Sequence, residues 1–310
     1  MNSKSENWLE RRDRLKIVLL GAGTKGGSGK SSELANIYTW YRYKYDLVPK
    51  AWDFDRMQTL TRMIGAESIF SSSEGLPLQW VMGEVLKDEE HSVFILDTPA
   101  SSEDQVREAF ARVDPESWNL HGIHVVLVAS ITKEDETVSK LEPWMNFLEG
   151  VSSTLFVRNW ITPTEPLPFP FEASEDVLRV EQGYYEPPAL LRLVSDMRQP
   201  LHTALFPYLR SFRRRLIEAK RQGSKTALPE WLAIRDQAWA KYPDELRNES
   251  NFMPGAMVLD KFYDQLDLIA DDLLPVAFQG QLRGTYALPA SGSEASRTGS
   301  AGLRVVGAAA

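Results

Sequence analysis

The chain has 310 residues, 43% of them hydrophobic, and a formal net charge of −8. This length and composition predict a sizeable core in one large or two modest domains, and the negative charge argues against general adhesion to nucleic acid. The absence of cysteine excludes disulfides, thiolate metal sites and cysteine nucleophiles. No apolar run approaches the ~18 residues of a membrane span, and the charged first residues lack a signal-peptide pattern. We therefore expect a cytoplasmic protein.

A glycine-rich segment follows the first apolar run. Residues 15–20 (LKIVLL) predict a buried strand, and residues 21–32 (GAGTKGGSGKSS) lead into a helix predicted to extend to residue 45. A strand, a glycine-rich turn and a helix N-terminus together form a phosphate cradle, because backbone N–H groups and the helix dipole attract anions. Lys30 would contact the β- and γ-phosphates, and Ser31 would hold Mg²⁺. The other predicted nucleotide contacts are Gly26, Gly27, Ser28, Gly29 and Ser32.

The glycine-rich segment departs from the strict Walker pattern, which requires a glycine where this chain has Thr24. Residues 25–31 (KGGSGKS) instead resemble the deviant Walker motif of the ParA/MinD family of ATPases. The resemblance implies that the second lysine, Lys25, crosses a dimer interface and contacts the phosphates bound by the partner subunit. In the alternative interpretation, Lys25 is a solvated loop lysine beside an ordinary P-loop.

Two further predicted strands end in aspartates. Residues 48–53 run into the sequence DFD, and residues 92–96 (SVFIL) run into DTP. Carboxylates at the ends of parallel strands beside a P-loop are well placed to act on Mg²⁺ and water. The resemblance implies that Asp53 supports the magnesium shell, that Asp55 positions the attacking water and that Asp97 is the Walker B carboxylate. Alternatively, the first two aspartates merely cap the next helix.

Strands and helices continue to alternate beyond these aspartates. Helices predicted over residues 76–86 and 136–148 alternate with strands predicted over residues 122–129 and 154–157. This alternation predicts an α/β fold with a doubly wound, mostly parallel sheet. The ParA/MinD resemblance further implies that Asn159, just after the last of these strands, reads the adenine edge.

The C-terminal third is predicted to be helical, and its segment 209–225 is rich in cations. Family members that bind the nucleoid use C-terminal basic residues, so the resemblance suggests non-specific DNA binding through this segment. The candidate contacts are Arg210, Arg213, Arg214, Arg215 and Arg221. In the alternative interpretation the segment is a solvated amphipathic helix, with four apolar residues buried beneath it: Phe206, Leu209, Phe212 and Leu216.

The predicted organisation has four parts. An N-terminal extension (1–14) precedes a P-loop ATPase core (15–182), a helical C-terminal part packed on the core (183–283) and a disordered tail (284–310). The tail lacks the apolar and basic pattern of the MinD membrane helix, so we expect no membrane contact.

The resemblance implies a hydrolase that uses ATP and Mg²⁺, forms an ATP-dependent homodimer and acts as a switch in plasmid or chromosome partition. A stimulating protein partner is also expected. Two other functions fit the same motifs. The chain could be an orphan family member that serves conjugative transfer, plasmid maintenance or the positioning of a cellular machine through protein partners. It could also be a P-loop amidoligase or synthetase, although no residues specify a substrate for such an enzyme.

Overall fold

The computed structural model describes residues 15–22, 28–45, 47–71, 78–100, 104, 108, 112, 115–132, 152–160, 165–166, 168–169, 177–183, 205–240, 249–275 and 304–306. Within them the strands are β1 (Lys16–Ala22), β2 (Lys50–Asp53), β3 (Glu67–Ser71), β4 (Val93–Asp97), β5 (Ile123–Ile131), β6 (Ser152–Asn159), β7 (Val177–Gln182) and β8 (Arg304–Val306). The helices are α1 (Lys30–Tyr45), α2 (Thr59–Ile64), α3 (Leu78–Lys87), α4 (Pro115–Leu120), α5 (Arg210–Arg221), α6 (Ala227–Trp239), α7 (Glu249–Leu268) and α8 (Ala270–Leu273), with a 3-10 turn at Phe206–Tyr208.

The strands form one parallel sheet in the order β7-β6-β5-β1-β4-β2-β3-β8. Every residue of β4 and β5 is buried, as expected for parallel strands that are covered on both faces. The predicted doubly wound, parallel α/β fold is therefore confirmed.

Apolar side chains fill both sides of the sheet. On one side, α1 and the helices α5 to α8 share a core, while α3 and α4 cover the other side. Polar contacts also join α1 to α7: the hydroxyls of Thr39 and Tyr263 are 2.8 Å apart, and the Trp40 indole N–H donates to Asp267 across 2.9 Å. The helical C-terminal segment thus packs directly on the helix that follows the glycine-rich turn.

Several elements differ from those expected. The sequence did not predict α2, β3, α4 or β7, and β6 is longer at both ends than the expected strand over residues 154–157. The helix expected over residues 136–148 and the N-terminal extension lie outside the described residues. Of the tail from residue 284, only β8 is described. Among the described helices, none is long and apolar enough to cross a membrane.

Candidate functional site

The ends of three neighbouring strands form the floor of the candidate site. Gly21 of β1 lies opposite Asp97 of β4, and Asp97 lies opposite Asp53 of β2. The helix α1 begins at Lys30, a few residues after β1. β1 lies between β4 and β5 in the sheet and is parallel to both. Because Gly21, Asp53 and Asp97 lie at the carboxyl ends of their strands, the site is at the carboxyl edge of the sheet, where ligands of α/β proteins bind.

Lys30 is held by the end of the neighbouring strand. Its ammonium lies 2.8 Å from Asp97 Oδ1 and donates to the main-chain oxygen of Thr98. The Thr98 hydroxyl in turn donates to the Gly21 carbonyl across 2.7 Å. This chain of contacts fixes the lysine and the ends of β1 and β4 relative to one another.

Asp97 has the properties of a metal ligand. Its side chain is fully buried, and neither carboxylate oxygen accepts a hydrogen bond from the described residues. A buried carboxylate with only an ion pair is a suitable oxygen ligand for Mg²⁺, directly or through water. Ser31, the other predicted ligand, follows Lys30 in the first turn of α1 and is partly exposed. These two residues fit a magnesium ion.

Asp53 organises the loop after β2. Its oxygens accept the backbone N–H groups of Asp55 and Thr61, each across 2.9 Å. Burial raises the pKa of Asp53, as does the nearby Asp97 charge, while the hydrogen bonds lower it. Because both oxygens already accept hydrogen bonds, Asp53 is better suited to orienting the loop than to coordinating a metal directly.

The loop that Asp53 organises carries Asp55, the predicted water-positioning residue. Asp55 is partly exposed, and its Oδ1 accepts the Met57 N–H across 2.9 Å. Gln58, just before α2, has φ 51° and ψ 40°, a left-handed conformation that is uncommon for residues other than glycine. Such conformations cluster at functional sites and switch regions.

A buried polar cluster lies on the other side of the turn. Asn159 Nδ2 donates to the Ser28 carbonyl across 3.1 Å, and the Ser130 hydroxyl donates to Glu33 Oε2 across 2.5 Å. Burial raises the pKa of Glu33 to about 8, while the Ser130 and Asn159 side chains and the Lys30 charge lower it. The sequence did not predict Glu33, since a glutamate in the first turn of a helix normally stabilises the helix dipole from the surface.

The structure thus brings most of the predicted site residues to one edge of the sheet. They are Ser28, Gly29, Lys30, Ser31, Ser32, Asp53, Asp55, Asp97 and Asn159. Lys25, Gly26 and Gly27 lie outside the described residues, so the proposed trans role of Lys25 stays a prediction.

The five arginines predicted to contact DNA do not share one environment. Arg210 binds both oxygens of Asp264, at 2.6 and 2.7 Å, and the Arg215 guanidinium lies over the Trp231 ring, 5.7 Å from its centre. These two side chains are occupied within the helical part.

The other three arginines, Arg213, Arg214 and Arg221, line a groove of about 1200 Å³ between α5 and α7, which Arg210 also lines. Lys261 of α7 adds a fifth cation, and three carboxylates line the same groove: Glu218, Asp260 and Asp264. Beneath the arginines, Leu209 and Phe212 are buried and Leu216 is partly buried. The amphipathic arrangement expected of this segment is therefore present at these three apolar positions.

A parallel strand, a glycine-rich segment in the sequence, a lysine at the start of the next helix and an aspartate at the end of the neighbouring strand define the P-loop α/β class. No protein-family model matches the chain, and no curated protein matches its sequence.

Solved structures resemble it in fold. The MinC:MinD cell division protein complex of Aquifex aeolicus is 15% identical (TM-score 0.38), over 60% of this chain and 87% of that one. A ParA family ATPase from Chlorobium tepidum is 12% identical (TM-score 0.37), over 73% and 98%. FlhF complexed with GTP and Mg²⁺ is 13% identical (TM-score 0.33), over 59% and 75%.

Proposed function

We propose that this chain is a Mg²⁺-dependent ATP hydrolase that works as a dimeric switch in plasmid or chromosome partition. The observation that supports the hydrolase most directly is the buried pair of Lys30 and Asp97 beside the start of α1. In this proposal the cation of the pair would bind phosphate and the carboxylate would bind Mg²⁺, two functions that phosphoryl transfer uses.

Each group has a defined task in this proposal. The N–H groups of the turn and the Lys30 ammonium bind the phosphate chain. Ser31 and Asp97 hold Mg²⁺, which would neutralise the charge that develops on the transferred phosphoryl group. Asp53 fixes the loop after β2, so that Asp55 meets the attacking water in a set position.

Steady-state hydrolysis tests the enzymatic part. We expect ATP hydrolysis that requires Mg²⁺ and falls by at least ~100-fold in Asp55→Ala, whose ATP affinity should stay near that of the wild type. GTP should be a poorer substrate. If Asp55→Ala hydrolysed ATP at the normal rate, its assignment to the attacking water would be wrong.

The dimer depends on Lys25, which we propose contacts the phosphates of the partner subunit. Lys25→Ala should bind ATP but neither dimerise nor hydrolyse it efficiently, whereas Lys30→Ala should fail to bind. Normal dimerisation of Lys25→Ala would support the solvated-loop interpretation instead.

The groove between α5 and α7 supports a role in DNA binding. Five cations, among them Arg214, Arg221 and Lys261, line it beside three carboxylates, a local excess of positive charge in a chain whose net charge is −8. The ATP-bound dimer should retain a non-specific duplex in a gel-shift assay and release it as salt rises. Arg221→Ala should weaken binding and lower the salt slope by about one, whereas Lys87→Ala on the distant helix α3 should not.

The groove also favours a second candidate, a switch that acts through a protein partner. Ile217 and Met257 line it and expose 49% and 65% of their surface, and exposed apolar side chains amid cations are typical of protein interfaces. ATP-dependent dimerisation without DNA binding under any salt condition would favour this candidate over partition.

A further inference from the structure

The carbonyl groups of the described part of the turn are both turned into the protein. The Gly29 carbonyl accepts the Glu33 N–H of α1 across 2.9 Å. The Ser28 carbonyl accepts the Asn159 amide N–H across 3.1 Å. Gly29 has φ 89°, a left-handed conformation that glycine adopts without strain.

Carbonyl direction matters at this place because a peptide unit carries opposite partial charges at its two ends. An anion cradle needs N–H groups pointing inward, and a carbonyl turned inward would repel the phosphates. The helix itself holds the Gly29 carbonyl. The Ser28 carbonyl precedes the helix and depends on a side chain from the end of β6.

Glu33 lies beside that side chain. It is fully buried and Asn159 is 4% exposed, and the Asn159 amide is one of the groups that lower the pKa of the Glu33 carboxyl, which burial raises to about 8. Glu33 Oε2 accepts the Ser130 hydroxyl across 2.5 Å, whereas Oε1 accepts no hydrogen bond from the described residues. The contact that orients the Asn159 amide is therefore its hydrogen bond to the Ser28 carbonyl.

We propose that Asn159 is a positioning residue that holds the Ser28 carbonyl away from the phosphates, so that it serves the phosphate chain and not the purine base. The inference rests on the proposed nucleotide site and assigns a new role within it. It differs from the expectation that Asn159 reads adenine.

Inorganic triphosphate separates the two roles, because it carries the phosphate chain without a base. Isothermal titration calorimetry in the presence of Mg²⁺ gives the affinities of ATP and of triphosphate. The affinity is fitted from the shape of the titration curve, which does not depend on the fraction of the protein that is folded. Asn159→Ala should weaken both ligands by the same factor, roughly 10-fold, the effect of about one hydrogen bond.

The matched control is Ser153→Ala. Ser153 is fully buried and bonds to His124 across 3.0 Å, also between β5 and β6 but near the start of β6. It should leave both affinities unchanged.

Three results would overturn the inference. A loss for ATP with none for triphosphate would make Asn159 a base contact. An equal loss in Ser153→Ala would show general loosening of the two strands. Unchanged affinities in Asn159→Ala would leave the nucleotide site standing without this positioning residue. If the wild type bound neither ligand, the proposed function would fail together with the inference.

Discussion

Lys30→Ala should destabilise the folded protein in the absence of nucleotide as well as prevent nucleotide binding. In the wild type the lysine ammonium lies 2.8 Å from the fully buried Asp97 carboxylate. At an effective dielectric constant of 20, two charges at this separation attract by about 6 kcal/mol. Removing the lysine leaves a buried carboxylate that accepts no hydrogen bond from the described residues.

The size of the loss follows from the cost of leaving a buried charge unpaired. Removing one partner of a buried ion pair typically costs about 3 to 5 kcal/mol, because the remaining charge is uncompensated. We therefore expect Lys30→Ala to lower the unfolding free energy by about 3 to 4 kcal/mol.

Equilibrium unfolding in urea, with EDTA and without nucleotide, measures this loss. The double variant Lys30→Ala/Asp97→Asn removes the buried charge and should recover most of the stability. A loss below about 1 kcal/mol in Lys30→Ala, or no recovery in the double variant, would refute the reasoning.

Three further predictions concern packing and charge. A Cβ added at Gly21 would meet Leu34 Cδ1 at 2.7 Å, so Gly21→Ala should destabilise by about 1 to 3 kcal/mol in thermal unfolding; an unchanged midpoint would contradict this contact. Tyr263→Phe removes the 2.8 Å hydrogen bond to Thr39 and should destabilise by about 1 kcal/mol, whereas a stabilised variant would show that the bond contributes nothing. Burial raises the pKa of Asp88, but hydrogen bonds from a lysine, a histidine and the backbone outweigh it and hold this pKa below its usual range. The ionised Asp88 should therefore stabilise the fold fully near neutral pH, and this contribution should be lost as pH falls below about 4. The unfolding free energies of wild type and Asp88→Asn should converge in acid, and a difference that stays constant with pH would count against the assignment.

Apolar runs that end in glycine or aspartate made the centre of the fold predictable. The strands β1, β4 and β5 are almost wholly apolar and buried on both faces, and such runs are clear in sequence. Because parallel strands end at one edge, the order of the P-loop, Asp53 and Asp97 along the chain was enough to bring them together.

The missed elements carry weaker patterns. The strand β7 (VLRVEQ) mixes charged with apolar residues, and α4 has only six residues, so neither shows a period that distinguishes it from a loop.

Glu33 was missed for a different reason. Its burial depends on Ser130 and Asn159, which are 97 and 126 positions later in the chain, and no local pattern shows such contacts.

Sedimentation of Asp55→Ala tests the central claim most directly. The protein should sediment as a monomer without nucleotide and as a stable dimer with ATP and Mg²⁺, because ATP is bound but not hydrolysed. Wild-type protein under the same conditions should return to monomer as ATP is consumed. A monomer with ATP and Mg²⁺ under every condition would contradict the dimeric switch and remove the reason for placing Lys25 across an interface.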